Sequence, residues 1–384
     1  RKLDSDLCLE EIIYLPYLLL GNMKKINAFG LFVCAIILFT TSCKKSESFV
    51  QDDIVDAKGF YIINEGSYSL GNSSLSFYDF DKATISNSLF EGINTRPLGD
   101  VFQNLKFHDG KGYLIVNNSR KIEVVDSTTM KSIRTIEGFN SPRNIYFKNG
   151  KAYVTDLYSN EITVLNGNTL EKIGAIAVLG ATDDIVETNN KLIVAVNQNF
   201  EYNDESLQGI LVIDAKTDVV EKYVKLSEGA VDLEIDINGD IWVYCTGFWG
   251  NNASGKLYKV NGYTYKVSQT YDFGKLAYYS NPLRFNNVKN QIYFALAGDS
   301  SSYTDFDIFS MPINSTTLPP TPFYDSKDEY MYGYNIDEFR NELYVLDAID
   351  GQQKGEMSIL DLETKAKKSS FEVGYFPSNI VFKY

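Results

Sequence analysis

"VFQNLKFHDGKGYLIVNNSRKIEVVDSTTMKSI" (Val101–Ile133) has a counterpart that begins 40 positions later, "SPRNIYFKNGKAYVTDLYSNEITVLNGNTLEKI" (Ser141–Ile173). Both read as an apolar strand, a tight turn before Lys111 or Lys151, and a second strand centred on Tyr113 or Tyr153. A connection, a third strand ending near Asp126 or Asn166, a turn and a fourth strand complete the unit. Four antiparallel strands at this spacing are the signature of a propeller blade.

The unit recurs. Later first and second strands are "ATDDIVETNNKLIVAVN", "AVDLEIDINGDIWVYC", "NPLRFNNVKNQIYFALA" and "YGYNIDEFRNELYVLD", and third strands are "GILVIDAKTD", "GKLYKVNGYT", "FDIFSMPINS" and "GEMSILDLET". At the ends, "GFYIINEG" with "SSLSFYDFDKATISNSLF" lacks a first strand, whereas "FPSNIVFKY" is a first strand with no followers. Joined, they make one blade, so the expected fold is all-β: a seven-bladed β-propeller of four-stranded antiparallel blades, closed by the C-terminal strand. Residues 58–384 then give about 47 residues per blade, close to familiar propeller repeats of roughly 40–45.

Composition agrees. The 384 residues include 27 Tyr and 24 Phe but only 2 Trp, 5 Met and 1 His, as half-buried strands joined by polar turns require. A net charge of −14, with no Lys/Arg cluster able to neutralise several phosphates, argues against nucleic acid as a partner.

"MKKINAFGLFVCAIILFTTSC" (Met23–Cys43) has a basic start, an apolar run and small residues before Cys43. This is the order of a bacterial secretory signal ending in a lipoprotein processing site, with Thr40 where Leu is common, and it is too short to span a membrane. The expected organisation is 1–22 as an extension from a misplaced gene start, 23–42 as signal peptide, 43–57 as tether and 58–384 as propeller. Cys43 would carry lipid, which places the protein at the outer membrane, on the cell surface or its periplasmic face. Cys8 and Cys34 would be removed, leaving Cys245 in the apolar "IWVYC" as a core thiol.

"KAYVTD", "KGYLIVNN" and "KIEVVDSTT" resemble the YVTN-type repeats of surface-layer and YncE-like seven-bladed propellers. "GFYIINEG", "NSSLSFYD" and "LGDVFQNL" are similar to segments of Bacteroidetes-type propeller lipoproteins. One branch of these captures cobalamin at the cell surface and sits on a TonB-dependent transporter. The resemblance therefore implies a small-molecule ligand of corrinoid type and such a transporter as partner.

Turns between first and second strands are all short ("HDGK", "KNGK", "TNNK", "INGD", "VKNQ", "FRNE"). Long connections fall on the other face: Asn197–Gly209, Thr246–Gly255, Gly298–Asp305 and Asp347–Gly355, in four consecutive blades. Long loops on a rigid scaffold are the usual seat of function. Aligned first strands put Asn104, Asn144, Asp184, Asp232, Arg284, Tyr334 and Asn379 in a ring. Asn and Asp there either line the channel mouth or cap backbone; Arg284 and Tyr334 suit ligand contact better.

Around that ring fall Asn64, Glu65, Arg96, Asn117, Arg143, Asp156, Tyr158, Phe200, Tyr202, Phe248, Trp249, Tyr279, Tyr332 and Asp347. Aromatics interleaved with amides suit a neutral or zwitterionic ligand with apolar faces, and equally a stacked rim shielding blade ends. Trp249, between Gly247 and Gly250, favours binding.

Catalytic chemistry is sparse. The lone His108 lies in a short opposite-face turn, so no His triad or His metal site is expected, and neither a cofactor nor a resident metal. A Ca²⁺-dependent lactonase could draw oxygen ligands from Glu65, Asn104, Asn144 and Asp184, without a spacing motif to support it. "DINGD" (Asp236–Asp240) reads as a turn. The expectation is a ligand-binding protein and not an enzyme; a protein-docking scaffold is the alternative, and the hydrolase ranks third.

Overall fold

The computed structural model describes residues 57–197, 208–227, 229–247, 253–275, 277, 282–297, 306–327 and 329–383. Within them the chain forms seven antiparallel sheets arranged as a β-propeller. Blade 1 pairs the last strand, Pro377–Lys383, with Gly59–Asn64, followed by Ser74–Asp79 and Thr84–Ser86. The closing register runs from Gly59 opposite Lys383 to Ile63 opposite Asn379. The first and last described strands thus share one sheet, as expected from the orphan strands.

Blades 2 to 5 and blade 7 are sequential four-stranded meanders whose innermost strands are Phe102–His108, Pro142–Lys148, Ala181–Thr188, Ala230–Ile235 and Met331–Asp337. Blade 6 departs from the pattern. It holds three strands, Leu283–Phe285, Gln291–Ala297 and Phe306–Pro312, and its outermost place is taken by one bridge between Ile308 and Tyr324. The sequence there, "LPPTPFY", carries Pro319, Pro320 and Pro322, which have no N–H to give a ladder.

The core lies between blades. Second strands such as Lys151–Asp156 are buried on both faces, while fourth strands such as Lys172–Ala177 are largely exposed. Seven apolar clusters each join two neighbouring sheets, the last uniting Phe60 and Ile380 of blade 1 with Tyr344 and Met357 of blade 7. No blade can bury its faces alone, so the ring must close.

The Asp or Asn that ends a third strand explains the turn after it. Asp126, Asn166, Asp214, Asn261 and Asp361 each accept the N–H of the Thr three residues on. The side chain closes a turn the backbone would otherwise leave open.

Candidate functional site

The first strands carry a feature that governs the axis. In blades 2, 3, 5 and 7 the register with the second strand skips a residue, so that Gln103, Arg143, Val231 and Tyr332 have no partner across the ladder. Blade 4 skips two, Asp183 and Asp184, and blade 1 skips Ser378. A bulge re-aims a side chain and bends the strand. Repeated around the ring, it makes a collar of extra residues at the end where the innermost strands begin, the face of the long connections.

Three blades meet through Arg143 of that collar. Its Nε donates to Asp183 Oδ1 at 2.7 Å and its Nη2 to Oδ2 at 3.3 Å, while Nη1 donates to Gln103 Oε1. Both charged side chains are largely buried, and burial raises the Asp183 carboxyl above its ordinary range against the opposing pull of Arg143. Across the mouth, Tyr332 of blade 7 donates its hydroxyl to Glu65 Oε2 of blade 1 at 2.6 Å. Burial also raises the Glu65 carboxyl, opposed by that hydrogen bond and by Arg143. Glu65, Arg143, Asp183, Gln103 and Tyr332 are thus brought together from five blades.

One layer deeper, Asn104, Asn144, Asp184, Asp232 and Asn379 each accept the N–H of the next residue. Some also reach the following blade: Asn144 Nδ2 donates to Asp184, which accepts Leu233 N–H, and Asp232 accepts Leu283 N–H. These residues knit blade to blade. Burial lifts Asp232 well above its ordinary value, with Asp184 adding to the effect, and burial raises Glu234. Arg284 answers them electrostatically and donates to Asn379 Oδ1 at 2.8 Å.

Two ring assignments need correction. Tyr334 is wholly buried, and its hydroxyl donates to the Pro282 carbonyl at 2.6 Å; the self-capping Asx of blade 7 is its neighbour Asn335. In blade 6 the position facing Ala295 belongs to Pro282, which puts Arg284 two residues deeper than aligned. Two further candidates are structural. Arg96 sits on the flank of blade 2, bonded to buried Glu123 and to Ser132. Asn64 is fully buried, tied to Ser74, Ser76 and the Gly374 N–H.

Asp156 and Asp347 occupy equivalent places and hold the face together. Asp156 accepts the N–H groups of Asn140, Ser141 and Tyr158; Asp347 accepts those of Tyr330 and Ile349. Asn117 donates to the Pro142 carbonyl. Tyr158 projects from the face, 64 % exposed. Phe200, Tyr202, Phe248, Trp249, Tyr279 and Cys43 lie outside the described residues.

Sequence reasoning passed over Gln103, Asp183, Tyr330 and Phe376. For the first two a signal existed, namely the polar residue immediately before each ring position. Elsewhere, His108 is exposed and stacks on Phe147 with ring centroids 4.0 Å apart. In "DINGD", Lys259 bridges Asp236 and Asp240 at 3.0 and 3.3 Å, so one ammonium already sits between those two carboxylates. Among the described residues no group of three His, Cys, Asp or Glu side chains is placed to share a metal ion.

A family model described as "domain of unknown function" (DUF5074) matches residues 58–383, the whole ring. No curated protein matches the sequence. Among solved structures, the ring is similar to a functionally unknown protein from Desulfotomaculum acetoxidans, at 11% identity and TM-score 0.57 over 85% of this chain and 99% of that one. A protein described as a candidate 6-phosphogluconolactonase from Bacteroides uniformis gives 10% identity and TM-score 0.57 over 85% and 99%. Apo AztD from Citrobacter koseri gives 11% identity and TM-score 0.51 over 85% and 98%. Identities this low speak for the fold alone.

Proposed function

The chain belongs to the DUF5074 family, and from the collar at the mouth of its ring we propose that it is a binding protein that captures a small ligand there. The observation that carries this reading is the convergence of Glu65, Gln103, Arg143, Asp183 and Tyr332 at one end of the axis. Polar groups held rigidly at a concave mouth orient a ligand, while aromatic side chains supply contact area. The reading assigns no catalytic step.

The finer form of the proposal takes the ligand to be a corrinoid, the protein to be anchored through lipid on Cys43 at the outer membrane, and a TonB-dependent transporter to receive the ligand. It is supported by the segment Met23–Cys43 and by the resemblance of the repeats to propeller lipoproteins. A corrin presents flat apolar faces and a rim of amides, which the mouth's tyrosines and its Arg, Gln and carboxylate groups complement. Cyanocobalamin titrated into the purified protein should quench intrinsic fluorescence saturably at micromolar concentration. Arg143→Met should weaken the effect, and a flat titration would sink the corrinoid form.

A docking scaffold is the second reading. Tyr68, Leu70, Tyr158 and Ile349 stand exposed on second-to-third connections of the same face, at 74, 70, 64 and 42 %. Recovery of one stoichiometric protein partner, lost in a Tyr68→Ala/Leu70→Ala variant, would favour it. A Ca²⁺-dependent hydrolase requires metal in the purified protein, which elemental analysis measures directly.

A further inference from the structure

The face opposite the mouth carries the first-to-second turns, and three of these, in neighbouring blades, present apolar tips. They are Ile237 of blade 5, Val288 of blade 6 and Phe339 of blade 7, exposed by 57, 39 and 39 %. The corresponding turns of blades 2 to 4 hold Asp109, Asn149 and Asn189 instead. Single apolar residues scattered over a surface need no explanation. These three are neighbours: Ile237 donates its N–H to the Lys289 carbonyl at 3.0 Å, and Asn287 donates its own to Glu338 Oε2 at 3.3 Å. Tyr263, 69 % exposed, extends the arc outward along blade 5, where Asn261 and Gly262 beside it both donate to Asp240.

Folding does not ask for these side chains. Each turn is closed by the Asx at its start: Asp236 accepts the N–H groups of Asn238 and Asp240, Asn286 those of Asn290 and Gln291, and Asp337 those of Phe339 and Arg340. A polar tip would close the turn as well, and blades 2 to 4 have one.

Where the chain enters the ring indicates what covers the arc. Gly59–Asn64 is a second strand, so it starts on this face. Just before it, the Lys58 N–H donates to the Lys383 carbonyl at 2.9 Å, and Arg340 Nη2 donates to the Ala57 carbonyl at 3.4 Å. Residues 44–56, which join Cys43 to the ring, therefore reach it next to the blade 7 turn that carries Phe339. Charge points the same way. The four long connections of the mouth face hold seven acidic residues and one lysine, Lys354. The turn face mixes signs, with Lys58, Lys131, Lys216 and Lys266 exposed beside Asp81, Asp109 and Glu338. Phosphate headgroups repel the first face and tolerate the second.

We propose that the arc of Ile237, Tyr263, Val288 and Phe339 rests on a lipid bilayer, so that the anchored ring lies with its turn face down and its mouth away from the membrane. The proposal rests on the reading of Cys43 as a lipid anchor and adds an orientation to it. Apolar tips enter the boundary between headgroups and acyl chains, and Tyr263 and Phe339 are the aromatic residues such a boundary favours. The tips alone adhere weakly; the tether makes them effective by holding the ring at high local concentration. Handing a ligand to a transporter in the same membrane then requires the ring to lift and turn, which the 13 residues 44–56, up to ~45 Å when extended, permit.

The test couples the chain from Cys43 onward, through that thiol, to maleimide lipid in phosphatidylcholine vesicles; Cys245 is buried and does not compete. Phe339→Trp and, on the mouth face, Tyr158→Trp serve as reporters, and lipids brominated along their acyl chains quench a tryptophan that lies in the bilayer. Emission added by Phe339→Trp should fall at least about twofold, as burial roughly 5–10 Å into the boundary implies. Emission added by Tyr158→Trp should not change. Ile237→Ser/Val288→Ser in the Phe339→Trp protein should abolish the quenching. Hydrogen exchange of the unsubstituted chain covers the case in which a variant folds poorly: the three turns should slow on coupling to vesicles and only then. Equal quenching of both reporters, quenching of neither, or turns unchanged on coupling overturns the proposal. So does slowing in the free protein as its concentration rises, which would make a second copy the occupant. Flotation of the expressed full-length protein with membranes, lost in Cys43→Ser, reports on the lipid anchor by itself, so either reading can fail while the other stands.

Discussion

Removing Arg143 should turn Asp183 from a paired acid into a buried, uncompensated one, and the cost should depend on pH with a definite sign. The two side chains are 16 and 7 % exposed and meet through two N–H···O contacts of 2.7 and 3.3 Å. Breaking such a pair from one side costs about 3–5 kcal/mol, whereas replacing both partners by apolar residues is often neutral. For a ring of roughly 330 residues at about 2.1 cal/mol/K each, 1 kcal/mol corresponds to about 1.5 °C, so Arg143→Met should melt roughly 4–8 °C lower.

The Asp183 carboxyl already lies above its ordinary value because burial outweighs the attraction of Arg143, and the substitution pushes it further up. An acid whose folded pKa exceeds its unfolded one costs nothing below the unfolded value, and costs progressively more as pH rises through the folded value. The deficit relative to the parent should therefore be largest near pH 7.5 and shrink toward pH 4, and Arg143→Met/Asp183→Leu should recover most of it. Urea unfolding of the three proteins at both pH values measures this. A loss under about 1 kcal/mol, or one unchanged between the two pH values, would refute the claim that Arg143 compensates a buried charge.

Ile380 lies buried in the closing strand, and Ile380→Ala should cost about 2–5 kcal/mol in urea unfolding; a loss of only a few tenths would mean the closing strand carries little of the stability. Tyr334→Phe removes the hydroxyl bond to Pro282 and should cost about 1 kcal/mol while leaving ligand affinity unchanged; a lost affinity would return Tyr334 to the mouth. Burial pushes the Cys245 thiol up to about 12, so a thiol reagent at pH 8 should label a chain starting after Cys43 only once unfolded. Stoichiometric labelling of the native ring would show that this strand opens.

The two aligned stretches at Val101 and Ser141 already contain the blade: alternating apolar residues, Asx turns and a buried tyrosine strand are local patterns that survive repetition. The orphan strands at the two ends implied closure, because each fragment alone leaves an unpaired edge, and Gly59 does pair with Lys383. Of the candidate site, Glu65, Arg143 and Tyr332 were legible as polar or aromatic residues near blade entries. Their partners were not. A strictly alternating strand sends Arg143 and Asn144 to opposite faces, and only the skipped register lets both serve the axis.

The same bulges explain why Tyr334 was misaligned in blade 7 and why Asp183 went unremarked in blade 4. A bulge is set by how neighbouring blades twist and press together, which no single strand encodes. Short-range periodicity and turn chemistry already specify the blade, the number of blades and the face that carries long connections. Which side chains meet at the mouth was decided by tertiary structure alone: Glu65 and Tyr332 are 267 positions apart and touch only because the ring closes.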